Sequence, residues 1–404
     1  MTTRIGILFE YPSLNGGEHS MLAVLKILSA RSDIELIAIC PEVGRLFDEL
    51  QSVVSIEQWY PRTSDGVRKP LDLLATELAS LCRKLQLNVI HANSLSMARV
   101  TGSMKLSNPV RSPLDRPITD PPVCDHGKQS PISPGLRATG HVRDILKLAP
   151  TAIRALNGND CLIAVSNAAR DAIVSQGADP NKCQTVYNGI RIPTPAPPNH
   201  LLLRSVGIPD HAFVILNAGQ VCLRKGQLDL AKAVIRLIPN HPDLHLLHLG
   251  ERYSSKEESI QYAAEIEQHF ENAGLRHHLH LAGFQRNVTE WMQSSSLLVH
   301  TARQEPFGRV LLEAAAAGLP IIATSVGGTS EMLRSEIDAV LIPPANVDAI
   351  IKAIEGLKRS VDRRNELALS AHARVEAMFS PEVSASQFIR LLLDASGLEK
   401  QPPV

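Results

Sequence analysis

Two glutamates, Glu305 and Glu313, flank the run Pro306-Phe307-Gly308-Arg309-Val310, and an alanine-rich stretch carries the chain on to Gly318. The apolar run Leu297-Leu298-Val299 before them and Ile321-Ile322-Ala323 after them read as buried strands. The spacing predicts a helix over about 307–317. Pro306 suits its first turn, where a missing N–H costs nothing, and Gly318 suits a left-handed C-terminal cap. Glu305 then sits in a loop and Glu313 two turns into the helix. On a helical wheel Glu313 falls among Val310, Ala316 and Ala317, and a charge in apolar surroundings needs a partner. A pair of ligand hydroxyls would serve. Arg309, four residues earlier, is the alternative, in the weaker orientation and worth about a few tenths of a kcal/mol.

Other residues could do chemistry from their positions. Gly16 and Gly17 lie between a strand at 4–9 and a helix at 18–29. Such a turn either lets a phosphate reach backbone N–H groups at the positive end of a helix or is an ordinary tight turn. Lys225-Gly226 stands between a strand at 213–218 and a helix at 227–237, as an anion-binding lysine or a solvated helix-start one. His141, in Gly140-His141-Val142-Arg143-Asp144, is expected to open a helical stretch, with either a structural or a site role. His277-His278-Leu279-His280 reads as a loop entering a strand at 279–282. No second ligand cluster and no Asp-x-Asp loop accompanies it, so no metal site is assigned.

Composition narrows the classes. The 404 residues suit two domains. The 41 basic residues balance the 41 acidic ones, which leaves no footprint for nucleic acid or an anionic membrane. The first apolar run is too short for a signal segment, and none reaches membrane-spanning length; peripheral membrane contact stays open. Six cysteines without CxxC spacing read as reduced core thiols, so a cytoplasmic protein is expected.

Strand and helix patterns alternate along the chain, which implies α/β architecture with parallel sheets covered by helices on both faces. The strand at 89–94 ends in polar residues at the edge where open α/β sheets hold ligands. Residues 106–136 contain seven prolines and read as an irregular insertion, either a surface loop, a lid or disorder. Pro193, Pro195, Pro197 and Pro198 form a stiff linker. The expected domains are 1–192 and 193–380, with a final helix within 381–404.

The E-x7-E run with Pro306-Phe307-Gly308, the following Gly327-Gly328-Thr329-Ser330-Glu331, Lys225-Gly226, Asn188-Gly189-Ile190 and Gly16-Gly17-Glu18 together resemble the retaining GT-B-fold sugar transferases of glycosyltransferase family 4 (glycosyl transferases group 1). The resemblance covers nearly the whole chain and is weakest over 106–136. It implies two Rossmann-like parallel-sheet domains facing across a cleft, the last helix returning to the first domain. It also implies transfer of a hexose-type sugar from a nucleotide diphosphate sugar with anomeric retention, without metal or cofactor. Glu313 would take the ribose hydroxyls and Glu305 a sugar hydroxyl. Backbone N–H groups of Phe307, Gly308, Arg309 and Val310 would meet sugar or phosphate. Lys225, with Gly16 and Gly17, would balance the departing diphosphate, and His141 would shape the sugar site. Two departures stand out: Glu18 comes one residue early, and Gln220 occupies the position of the family's diphosphate-binding arginine. Gln220 keeps open a nucleotide-sugar-binding protein with weakened or lost catalysis; an epimerase or phosphorylase on the same scaffold is a further alternative. The acceptor, whether glycan, lipid-linked or small molecule, is not named by the residues.

Overall fold

The computed structural model of the protein describes residues 2–107, 135–252, 254 and 256–394. Most of the expected insertion (108–134) and the tail at 401–404 lie outside these. The chain divides into two compact units, Met1–Gly189 with Pro381–Val404, and Ile190–Ser380.

The first unit alternates β1 (Thr3–Leu8), α1 (Gly16–Leu28), β2 (Ile34–Cys40), α2 (Arg45–Leu50), β3 (Ser55–Gln58), α3 (Leu71–Lys84), β4 (Val89–Ala92), α4 (Leu95–Ser107), β5 (Arg137–Val142), α5 (Pro150–Asn157), β6 (Cys161–Ala164), α6 (Asn167–Val174) and β7 (Cys183–Thr185). Its strands form one parallel sheet of seven, in the order β3-β2-β1-β4-β5-β6-β7. Strands covered on both faces read as continuous aliphatic runs; Ile5, Ile7 and Leu8 of β1 are fully buried.

The second unit runs α7 (His200–Ser205), β8 (Phe213–Ala218), α8 (Gln227–Leu237), β9 (Leu244–Leu249), α9 (Glu257–Asn272), β10 (Leu279–Leu281), α10 (Val288–Gln293), β11 (Leu297–His300), α11 (Arg309–Ala316), β12 (Ile321–Thr324), α12 (Thr329–Met332), β13 (Val340–Ile342), α13 (Val347–Arg359) and α14 (Val361–Met378). Its six parallel strands are ordered β10-β9-β8-β11-β12-β13. Both sheets are therefore Rossmann-like, and strand order reverses at β1/β4 and at β8/β11, the places where open α/β sheets bind ligands.

A last helix, α15 (Pro381–Leu393), rejoins the first unit. Ala385, Phe388, Ile389 and Leu392 enter the same core as Ile5, Met21 and Leu25. Phe388 is 1% exposed, and burying such a side chain contributes roughly 2–3 kcal/mol. Arg137 Nη2 donates to the Leu391 carbonyl at 2.9 Å, and Ser384 Oγ to that of Tyr187 at 2.8 Å.

Several expectations need correction. The helix expected at 307–317 begins only at Arg309, so Pro306 lies in the loop before it. Residues 138–144 do not open a helix: 137–142 form β5, a central strand flanked on both sides. Gly16 and Gly17 are already the first helical residues of α1. Residues 106 and 107 end α4, and Leu136 is buried beside β5, so the irregular stretch is shorter than 106–136. Gly318 has φ +72°, the left-handed cap expected. The described cysteines are unpaired, and burial pushes the Cys40, Cys161 and Cys183 thiols up to about 11. Among the described residues, no helix is long and apolar enough to cross a membrane.

Candidate functional site

At the switch point of the second sheet, β8 delivers the loop 219–226 and β11 the loop 301–308. The two loops touch backbone to backbone. Gly226 has φ +65°, and a Cβ there would lie 2.1 Å from the Thr301 carbonyl oxygen, so only glycine fits. Thr301 Oγ1 donates to the Gly226 carbonyl at 2.9 Å, and the Arg303 N–H to that of Arg224 at 2.8 Å. This contact sets Lys225 Nζ 2.5 Å from Glu305 Oε2. The same oxygen accepts from His300 Nε2 at 2.7 Å.

The three side chains are 13%, 6% and 2% exposed for Lys225, Glu305 and His300. Burial pushes the Glu305 carboxyl up, but the Lys225 charge and the His300 hydrogen bond outweigh it and hold the group well below the usual carboxylate range. Burial lowers His300; the bond to Glu305 opposes this and the Lys225 charge adds to it. His300 is thus a neutral ring donating Nε2–H to a carboxylate, beside an ammonium.

Gly308 caps the N-terminus of α11 with φ +92°. A Cβ there would come within 2.9 Å of Leu311 Cδ1 and 3.2 Å of Glu305 Cγ, so the glycine is what lets Glu305 turn inward. Leu311 N–H donates to the Gly308 carbonyl at 2.9 Å, closing the first turn of α11. The Phe307 ring is core, 2% exposed and 5.9 Å from Phe379 between centroids, so only its backbone could meet a ligand. Gly328 N–H donates to the Glu305 carbonyl at 3.0 Å, tying the Gly-Gly turn to the same loop. Glu313 is half-buried, and Arg309 Nε donates to it at 2.6 Å, the ion pair that the four-residue spacing offers. Gln220 shares the Lys225 loop, its carbonyl accepting from Gln227 Nε2 at 2.8 Å.

Gly16, Gly17 and His141 belong to the first unit, at the β1/β4 switch point and on β5. The Asn15 N–H donates to Glu18 Oε2 at 3.1 Å, so the early glutamate caps its own helix. A Cβ on Gly17 would lie 3.0 Å from Arg143 Cδ. Arg143 is the hub of this cluster. It donates to the Asn93 carbonyl (3.1 Å), Asn93 Oδ1 (2.9 Å) and Asn188 Oδ1 (3.3 Å). His141 is 4% exposed, and its Nδ1 lies 2.8 Å from His91 Nε2. Burial first, then the Arg143 charge, holds both rings well below the ordinary histidine value; they are neutral.

The histidine run at 277–280 is structural. His278 Nδ1–H donates to the Leu244 carbonyl and His280 Nδ1–H to that of Val206, each at 2.8 Å, and His280 Nε2 lies 2.9 Å from His245 Nδ1. Among the described residues, no group of three or more His, Cys, Asp or Glu is placed to hold a metal ion.

The sequence singles out neither His300 nor Arg143 as a site residue, and marks His91 and Asn93 only through the polar end of the strand at 89–94. Their signal is positional: each stands at or just past the carboxyl end of a buried strand, His91 and His300 among aliphatic residues.

Residues 201–374 match the family model described as Glycosyl transferases group 1. D-inositol 3-phosphate glycosyltransferase 1 of Catenulispora acidiphila is 28% identical over 207 residues, 47% of this chain and 48% of that protein. The lipopolysaccharide core biosynthesis glycosyltransferase LpsE of Rhizobium meliloti is 25% identical over 46% of this chain and 51% of its own length. The chain spans about half the length of the curated relatives it matches. Among solved structures, Anabaena HepE in complex with UDP and glucose superposes with a TM-score of 0.79 at 19% identity, covering 96% of this chain and 99% of that one. A glycosyltransferase from Rickettsia africae gives 0.79 at 17% identity, with 98% and 100% covered. The fold is that of GT-B glycosyltransferases.

Proposed function

We propose, from a chain whose residues 201–374 belong to the glycosyl transferases group 1 family, that this protein transfers a hexose-type sugar from a nucleoside diphosphate sugar to an acceptor. The reading rests on one observation: the buried Lys225–Glu305 pair beside the first turn of α11, at the switch point of the second sheet. Lys225 takes the charge developing on the departing diphosphate, in place of a divalent cation. The backbone N–H groups at 307–310 add donors preorganised toward the same charge. Glu305, kept ionised, accepts from a sugar hydroxyl, and Glu313 accepts from the ribose hydroxyls, sharing Arg309. Gly16, Gly17 and His141 serve the same reaction from the first unit. No protein nucleophile is assigned, consistent with front-face attack and anomeric retention.

Gln220 favours a second reading, a nucleotide-sugar-binding protein of weakened catalysis. A glutamine donates a hydrogen bond to phosphate but brings no charge.

Thermal unfolding with uridine, guanosine and adenosine diphosphates tests the binding step. One of the three should stabilise the wild type, by about 2.7 kcal/mol when present at about 100 times its Kd. Lys225→Ala and Glu313→Ala should lose most of that gain. No stabilisation by any of them would defeat the reading. Donor hydrolysis that rises in Gln220→Arg and persists in chelator would support the metal-independent transferase; hydrolysis undetectable in both proteins would leave the binding-protein reading standing.

A further inference from the structure

Strands β4 and β5 pair in register, His91 against Thr139. His91 Nδ1 lies 2.8 Å from Thr139 Oγ1, and His91 Nε2 lies 2.8 Å from His141 Nδ1. A hydrogen bond between two neutral imidazoles needs an N–H on one side and a lone pair on the other. Arg143 decides the direction. A guanidinium only donates, and Arg143 Nη2 approaches His141 Nδ1 to 3.4 Å, so that nitrogen presents its lone pair.

His91 must then donate from Nε2, which leaves its Nδ1 as an acceptor. The Thr139 hydroxyl donates to it; the other oxygen within reach, the Ile90 carbonyl, is 3.5 Å away, too far for a good O–H···O bond. Of the two possible directions, this one gives the Arg143 N–H an acceptor at His141 Nδ1 and gives the Thr139 hydroxyl an acceptor nearer than the Ile90 carbonyl. That direction puts the single ring proton of His141 on Nε2. Phe388 of α15 stacks on His141 (centroids 5.6 Å apart, planes 12°) and stands edge-on to His91 (4.8 Å, 88°), covering the pair with an apolar ring.

We propose that Thr139 and His91 are positioning residues for His141: through them the fold fixes His141 as a neutral ring protonated at Nε2, a dedicated hydrogen-bond donor to a substrate oxygen rather than a proton acceptor. The inference rests on the reading of His141 as a sugar-site residue. It assigns a task to two residues far from any E-x7-E landmark, and it gives the buried histidine pair a reason beyond packing. Arg143 has a second part in it, since its charge disfavours an imidazolium next door.

Two-bond 1H–15N imidazole spectra of the full chain without ligand read the tautomers directly, with resonances assigned through their loss in His141→Gln and His91→Gln. The expected wild-type pattern is His141 protonated only at Nε2. Thr139→Val removes the hydroxyl at nearly constant volume; it should mix the two tautomers in both rings and lower kcat/KM for the nucleotide sugar by about tenfold, one lost hydrogen bond's worth. Thr139→Ser should restore both readouts, which a purely packing role would not predict. A wild-type His141 protonated at Nδ1, or a Thr139→Val protein with unchanged tautomers, overturns the proposal. So does a shift of tautomers with no change in kcat/KM of an active enzyme. The spectra need no substrate, so failure to bind or turn over any nucleotide sugar counts against the proposed function and not against the tautomer assignment.

Discussion

Glu305 illustrates how one carboxylate can be held ready without a ligand. Its oxygen meets an ammonium and an imidazole N–H at once, and both are nearly buried. Removing one partner of such a pair leaves the other charge uncompensated, a larger loss than the pair itself contributes. Glu305→Gln should therefore cost about 3 kcal/mol, measured by chemical denaturation. Adding Lys225→Met to it should recover most of that loss, because no unpaired ammonium then remains. A double variant as unstable as the single one would show that the pair is not what Glu305 stabilises. The same geometry explains why His300 escaped notice in the sequence. Its contact with Glu305 spans five positions across an irregular loop, and no helical or strand period reports such a contact. Lys225 and Glu305 were legible as motif residues; their direct bond, across 80 positions, was not.

At the scale of elements, aliphatic strands were readable and edge strands were not. β1, β2, β8 and β9 are apolar runs buried on both faces. β3 (SIEQ) and β7 (CQT) close the two edges of the first sheet with half-exposed polar residues, so no pattern marks them. α4 carries buried residues nearly all round, including Thr101 and Gly102, which erases its amphipathic stripe. β5 was misread because Ala-Thr-Gly-His-Val lacks aliphatic bulk, although all six residues of the strand are buried. The second sheet also carries a pH dependence. Burial, with neighbouring histidines adding, lowers His245 to about 4, and burial lowers His248 to about 4, from an ordinary 6.5. Between those values the unfolded chain binds protons that the folded chain refuses. Stability must fall as pH drops from about 6.5 toward 4, by on the order of 2 kcal/mol for the fully enclosed His248 at pH 5 and by less for His245. Glu305 acts in the same direction further down: its depressed carboxyl gives stability that is lost as pH falls below its ordinary 4.5. Urea midpoints at pH 7 and pH 5 check this, and His248→Gln should flatten the difference; an unchanged slope would exclude His248 as a source.

For the whole molecule, the telling fact is that the first unit is discontinuous. Residues 1–189 supply its sheet, but its core includes Phe388, Ile389 and Leu392 from the far end of the chain. Phe388→Ala should destabilise this unit by about 3–5 kcal/mol and leave the second unit's unfolding in place. Two separable transitions in calorimetry would register the difference; equal losses in both would contradict it.

Synthesis order gives α15 a further consequence. A growing chain usually folds its N-terminal domain first. Here residues 190–380 are contiguous and can complete their sheet while later codons are still being read. The first unit, though made earlier, must wait with the seat of α15 on α1 open to water, so the nascent protein carries an exposed apolar groove until α15 arrives.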